Sequence, residues 1–149
     1  QKQKVEQQDK VYRVRKALEE RLVGSIPDEM YQNAKDSLVS ATETKLQSRG
    51  KTLEEYCEEH GMDKATFNMN AFMQASELLR QNLALDILAK NKGLIETEKE
   101  IQSAKAALPA AIVALSADEF ERRGFQRALG EQIRREKAVK WLLDTAVVA

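Results

Sequence analysis

The chain has 149 residues, of which 42% are hydrophobic, 5% aromatic and 32% charged, enough apolar material for one domain with a core and a balance that favours helices over a β-sandwich. Its 24 basic residues match 24 acidic ones, so no net field draws it to nucleic acid or to an anionic membrane surface. Cys57 is the single cysteine, which excludes an internal disulfide framework and suits the reducing cytoplasm, and no stretch reaches the ~20 apolar residues of a membrane span.

Val11, Val14, Leu18 and Leu22 recur at helical spacing between charged residues and predict a first helix that Gly24 stops. Ser25, Pro27 and Asp28 then offer a cap oxygen, a preset φ and a first-turn carboxylate, opening a second helix that runs to about Arg49. Gly50 closes it. Thr52 and Glu55 have the spacing of a capping box, in which hydroxyl and carboxylate satisfy each other's backbone donors, at the head of a short helix, Leu53 to His60. Gly61 ends that one, Asp63 can cap the next, and the series Phe72, Ala75, Leu79, Leu83, Ile87 carries the longest helix to about Asn91.

Gly93 closes the long helix, and Thr97 with Glu100 repeats the capping pair before Ile101 to Leu108, where Pro109 interrupts. Ser116 with Glu119 forms a third pair, opening a helix that runs through Leu129, Ile133, Val139 and Leu142 to the C-terminus, with Gly124 and Gly130 as places where it can break or bend. Period-two alternation is not sustained anywhere, so no sheet is expected. Antiparallel helical hairpins are the economical way for each apolar stripe to cover its neighbour. The start at Gln1, directly into a helical pattern, points to a piece of something longer.

Candidate chemistry is sparse. Cys57 and His60 share a helix face, a pairing that can in principle make an activated nucleophile, but the preferred reading is a half-buried thiol with a surface imidazole near the helix C-terminus. One histidine cannot furnish the paired Glu-x-x-His sets of a di-iron bundle, nor one Cys and one His a structural zinc site. Single glycines at helix ends are caps rather than a phosphate loop. No catalytic, cofactor-binding or metal-binding residue is assigned. The basic cluster Arg122, Arg123, Arg127, Arg134, Arg135 and Lys137 is interleaved with Glu119, Glu121, Glu131 and Glu136, the pattern of a salt-bridged face rather than of a nucleic-acid surface.

Met62, Phe67, Met69, Phe72 and Met73 gather within twelve positions of one another. Flexible thioethers and flat rings suit a surface that accepts many apolar partners, and they suit a core just as well. These five are the candidate peptide-binding residues.

Four segments in order now carry a resemblance. LVGSIPDEMYQNAKDSL (Leu22 to Leu38), KTLEEYCEEHGMDKATFNMNAFMQASELLRQNLALDILAKNKGL (Lys51 to Leu94), IETEKEI (Ile95 to Ile101) and REKAVKWLLDTAVV (Arg135 to Val148) together resemble the C-terminal chaperone domain of trigger factor, a bacterial ribosome-associated chaperone. The apolar stretch Ala106 to Leu115 departs from the family's more polar helix and turn. The resemblance implies an elongated all-α fold with two long antiparallel helical arms, of the trigger factor and SurA-like peptide-binding kind. It implies a supporting body helix at 1–24, a first arm at 25–93 and a second at 94–149. It also implies ATP-independent holding of unfolded or nascent polypeptides in the cytoplasm, without catalysis. The family's ribosome-docking signature and prolyl isomerase domain are not in these residues, so the ribosome would be a partner only through an N-terminal part elsewhere. A homodimer, a helical scaffold docking one partner, and the related core of periplasmic parvulin-type chaperones stay open.

Overall fold

Lys, Gln and Glu dominate the first ten residues, and their helix propensity extends a helix beyond the part that packs. In the computed structural model, which describes residues 1–145, α1 spans Lys2–Glu19, its first nine residues all exposed. It stops short of Leu22 and Gly24, so the last position of the expected stripe lies outside it. Then follow α2 (Asp28–Gln47), α3 (Leu53–Glu59), α4 (Lys64–Asn91), α5 (Glu98–Ala106), α6 (Ala110–Val113), α7 (Ala117–Arg122) and α8 (Phe125–Thr145). No strand occurs among the described residues, and the fold is all-α.

The capping expectations meet the structure unevenly. Thr52 accepts from the Glu55 amide at 3.2 Å while the Glu55 carboxylate accepts from the Thr52 amide at 3.0 Å, and Thr97 with Glu100 does the same. Asp63 caps α4 by accepting from the Thr66 amide at 2.7 Å. Ser116 accepts from the Glu119 amide at 3.2 Å, but only this half of the box forms, because the Glu119 carboxylate turns to Arg122 and Arg123 instead. No side-chain oxygen caps α2: Pro27 itself occupies the cap position, with Asp28 and Glu29 in the first turn supplying charge to the helix dipole.

The single helix expected from Ser116 to the C-terminus is two helices. Gly124 adopts φ +77°, a left-handed conformation that an α-helix cannot continue through, and α7 and α8 meet there. Gly130 neither breaks nor bends a boundary; it lies buried inside α8. The last residues of the expected helix, 146–149, and with them the end of the closing motif, lie outside the described residues.

By packing, the chain divides into two units, residues 22–81 and residues 1–21 with 82–149. The first is a helical hairpin. Leu46, Leu53, Cys57 and Phe67 form its core, with Val39, Tyr56 and Met62 packed around it. Phe67 is only 8% exposed, edge-on to Tyr56 at 6.1 Å between ring centroids. Further along, Tyr31 of α2 meets Phe72 of α4 at 6.3 Å.

In the second unit α8 packs against α1, α5 and α7. Leu85, Ala89 and Ala138 make its core together with Leu18, Leu88, Leu94, Val139 and Leu142. Two alanines at that contact leave room for a close approach of backbones, and Ala138 is fully buried. Gly93, at φ +64°, lets the Leu94 amide reach back to the Ala89 carbonyl at 2.9 Å, which closes α4 and turns Leu94 into the core.

Candidate functional site

An apolar helix with partners on one side has two kinds of apolar residue, those facing the partner and those left over. Within α4, Phe67, Ala71 and Ala75 are buried. Met69 is 65% exposed and Met73 64%, with Phe72 at 41%. Met69 and Met73 are one turn apart on the same face, Phe72 lies three residues from Met69, and Tyr31 extends the apolar surface from Phe72 onto α2.

The five candidate residues therefore divide. Met69, Phe72 and Met73 come together at the surface; Phe67 is a core residue of the hairpin and Met62 is half-buried against that same core. Leu78, 45% exposed, and Met30, 39% exposed, are further large apolar residues at the surface of this unit that the Met/Phe count did not single out.

Around Cys57 and His60 the arrangement is structural. The thiol is buried in the hairpin core, and the imidazole lies against the Tyr56 ring at 4.2 Å with its Nδ1 2.9 Å from the Tyr56 carbonyl. Among the described residues no three His, Cys, Asp or Glu side chains come together as a metal-holding group. An open depression along α2 is lined by Asp36, Ser37, Ser40, Ala41, Thr44, Lys45 and Ser48, residues of a single helix face and its C-cap; the Thr44 and Ser48 hydroxyls donate to the Ser40 and Lys45 carbonyls.

The basic cluster is neutralised in place. Arg122 and Arg123 pair with Glu119, and Arg127 with Glu131 at 3.4 Å. Arg134 donates from its Nη1 to both Glu96 carboxylate oxygens at 2.9 Å, Arg135 holds Asp86 in a two-pronged contact at 2.8 and 2.9 Å, and Lys137 bonds Glu100 at 2.6 Å and the Ile95 carbonyl at 2.7 Å. Hydrogen bonding to Asp86 raises the Arg135 pKa above its ordinary value. Burial, with Arg135 nearby, lowers that of Arg15, whose Nη2 donates to Asn82 at 3.0 Å. Arg134, Arg135 and Lys137 thereby tie α8 to Glu96, to α4 and to α5, whereas Arg122, Arg123 and Arg127 pair with carboxylates three or four residues away.

No helix among the described residues is long and apolar enough to cross a membrane.

Compared with known proteins, residues 1–144 match the family model described as the bacterial trigger factor protein C-terminus. A curated trigger factor from Anoxybacillus flavithermus (strain DSM 21510 / WK1) is 28% identical over 124 residues, which are 83% of this chain and 29% of that protein. The chain thus spans less than a third of the length of the curated relative it matches. No solved structure matches it.

Proposed function

The chain belongs to the bacterial trigger factor C-terminal family and is a chaperone domain, and we propose that it holds unfolded polypeptide on the exposed apolar surface of the hairpin, residues 22–81. The observation that supports this reading is the surface position of Met69, Phe72 and Met73 beside Tyr31. Three large apolar side chains on one helix face, Met69 and Met73 about two-thirds exposed and Phe72 41% exposed beside Tyr31, form the kind of patch that soluble proteins keep for binding. Thioethers suit it to varied clients, because an unbranched side chain with a polarisable sulfur adapts its shape to whatever lies on it.

Holding of this kind uses no ATP and no covalent step. A client's apolar segment leaves water on contact, and each ~100 Å² of apolar surface so covered contributes roughly 2.5 kcal/mol before the entropy of ordering is subtracted. Small patches therefore give weak, reversible binding, as a holding chaperone needs. In the longer protein, ribosome docking and prolyl isomerisation are assigned to other segments, clients are nascent as well as unfolded chains, and the cytoplasm is the compartment.

The test is an aggregation assay in which several unrelated denatured clients are diluted into buffer with and without the chain. Suppressed light scattering for most of them is expected, together with its loss on replacing Met69, Phe72 and Met73 by Ser at unchanged helicity. Equal aggregation with and without the chain sinks the reading. Suppression of one client alone favours a scaffold that docks a single partner.

A further inference from the structure

The residues that make the patch adaptable also make it oxidisable. The chain has four methionines, and the structure ranks them by access. Met69 and Met73 are 65% and 64% exposed, Met30 is 39% exposed, and Met62 is half-buried on the hairpin core. The two most accessible thioethers are thus the two that stand one turn apart on the proposed client surface.

We propose that Met69 and Met73 are a paired oxidation site through which peroxide lowers client holding reversibly; the inference rests on the holding function above. Each thioether sulfur attacks one oxygen of hydrogen peroxide with a lone pair. The O–O bond breaks, the S–O bond of the sulfoxide forms, and after proton transfer the other oxygen leaves as water. Sulfur loses two electrons and the peroxide gains them. A thiol-dependent methionine sulfoxide reductase returns the thioether.

Oxidation changes what the patch can cover. A thioether is a weak acceptor that tolerates loss of water, whereas a sulfoxide carries a strongly polar S–O bond that a client's apolar segment cannot satisfy. Covering one unsatisfied dipole of that kind weakens association by roughly tenfold. Two on one helix face leave Phe72 as the large apolar residue between them. The core is spared, because Phe67, Leu46, Leu53 and Cys57 lie on the buried side, so the hairpin stays folded while its surface changes character.

The experiment treats the chain with excess hydrogen peroxide, quenches it, and maps sulfoxides by peptide mass spectrometry beside client binding and circular dichroism. The expected result is oxidation of Met69 and Met73 before Met30 and Met62, client affinity down by roughly tenfold to a hundredfold at unchanged helicity, and recovery after incubation with the reductase. A Met69→Leu, Met73→Leu variant, whatever affinity it has before treatment, is expected to show that same affinity after peroxide. The proposal is overturned if mapped sulfoxides at both positions leave holding unchanged, if the leucine variant loses as much holding as the parent, or if helicity falls along with binding. Untreated chain that holds no client refutes the holding function itself, whereas chain that holds clients regardless of oxidation refutes only the switch.

Discussion

Gly130 stands inside α8, where alanine is the better helix former by ~1 kcal/mol, and the structure gives a reason for its presence. A Cβ built there meets the Glu96 carboxylate, 2.8 Å from Oε1 and 3.2 Å from its carbon. Both oxygens of that carboxylate accept from Arg134 Nη1 at 2.9 Å, and the Glu96 and Arg134 side chains are 21% and 35% exposed. In Gly130→Ala the end of the flexible Glu96 side chain must shift, a small displacement that pulls its contact with Arg134 out of its best geometry. A partly exposed ion pair of this kind contributes at most about 1 kcal/mol, so its weakening roughly offsets the ~1 kcal/mol gained in propensity, and the substitution should be close to neutral.

The same reasoning predicts a dependence on Glu96. With Glu96→Ala the obstruction is gone, and adding Gly130→Ala on that background should stabilise by ~1 kcal/mol. The coupling between the two positions is then about 1 kcal/mol. Urea unfolding of the parent, the two single variants and the double variant, followed by circular dichroism, measures it. An equal effect of Gly130→Ala in both backgrounds would refute the claim that Glu96 is why a glycine stands there.

Phe67→Ala should cost about 3–5 kcal/mol by hollowing the hairpin core, whereas Met69→Ser on the same helix should change stability by no more than ~0.5 kcal/mol; urea midpoints of both variants check the contrast. Gly124→Ala, at a position with φ +77°, should destabilise by ~1 kcal/mol through backbone strain where α7 meets α8, visible as a lower thermal midpoint. Three carboxyls sit below their ordinary pKa: Glu59 through its bond to Lys51, Asp63 through Thr66, and Glu100 through Lys137 and then Thr97. In the window between folded and unfolded values the unfolded chain binds more protons, so stability rises with pH there. The contribution is complete above the ordinary carboxylate range and fades as pH falls through the depressed folded values, which acid titration of the urea midpoint should show. Lys137→Met should shrink the Glu100 part of that slope, and an unchanged slope would count against the pairing.

Much of the local structure was legible because it is decided locally. The Thr52/Glu55 and Thr97/Glu100 boxes formed as their spacing required, since both partners lie within one turn, and Lys137 shares the Glu100 carboxylate without drawing it off Thr97. Ser116/Glu119 formed only halfway because Arg122 and Arg123, also local, bid for the same carboxylate. The cation cluster was legible as a paired face in kind but not in partner. Glu96 pairs with Arg134 across 38 residues of chain, and Asp86 with Arg135 across 49, distances at which spacing carries no information.

By itself, then, the amino-acid order determined the all-α class, most helix ends and the ordered motifs of the trigger factor family, because propensity, capping and apolar period act within a few residues. Which side of α4 is core was a different matter. Phe67, Met69, Phe72 and Met73 are alike in hydrophobicity, and α4 is apolar around more of its circumference than one neighbour can cover. Only the arrival of α2 and α3 from elsewhere in the chain, setting Leu46, Leu53 and Cys57 against Phe67, turned one of the four inward and left the others at the surface. A helix's period tells which residues share a face, and tertiary packing alone decides which face meets water.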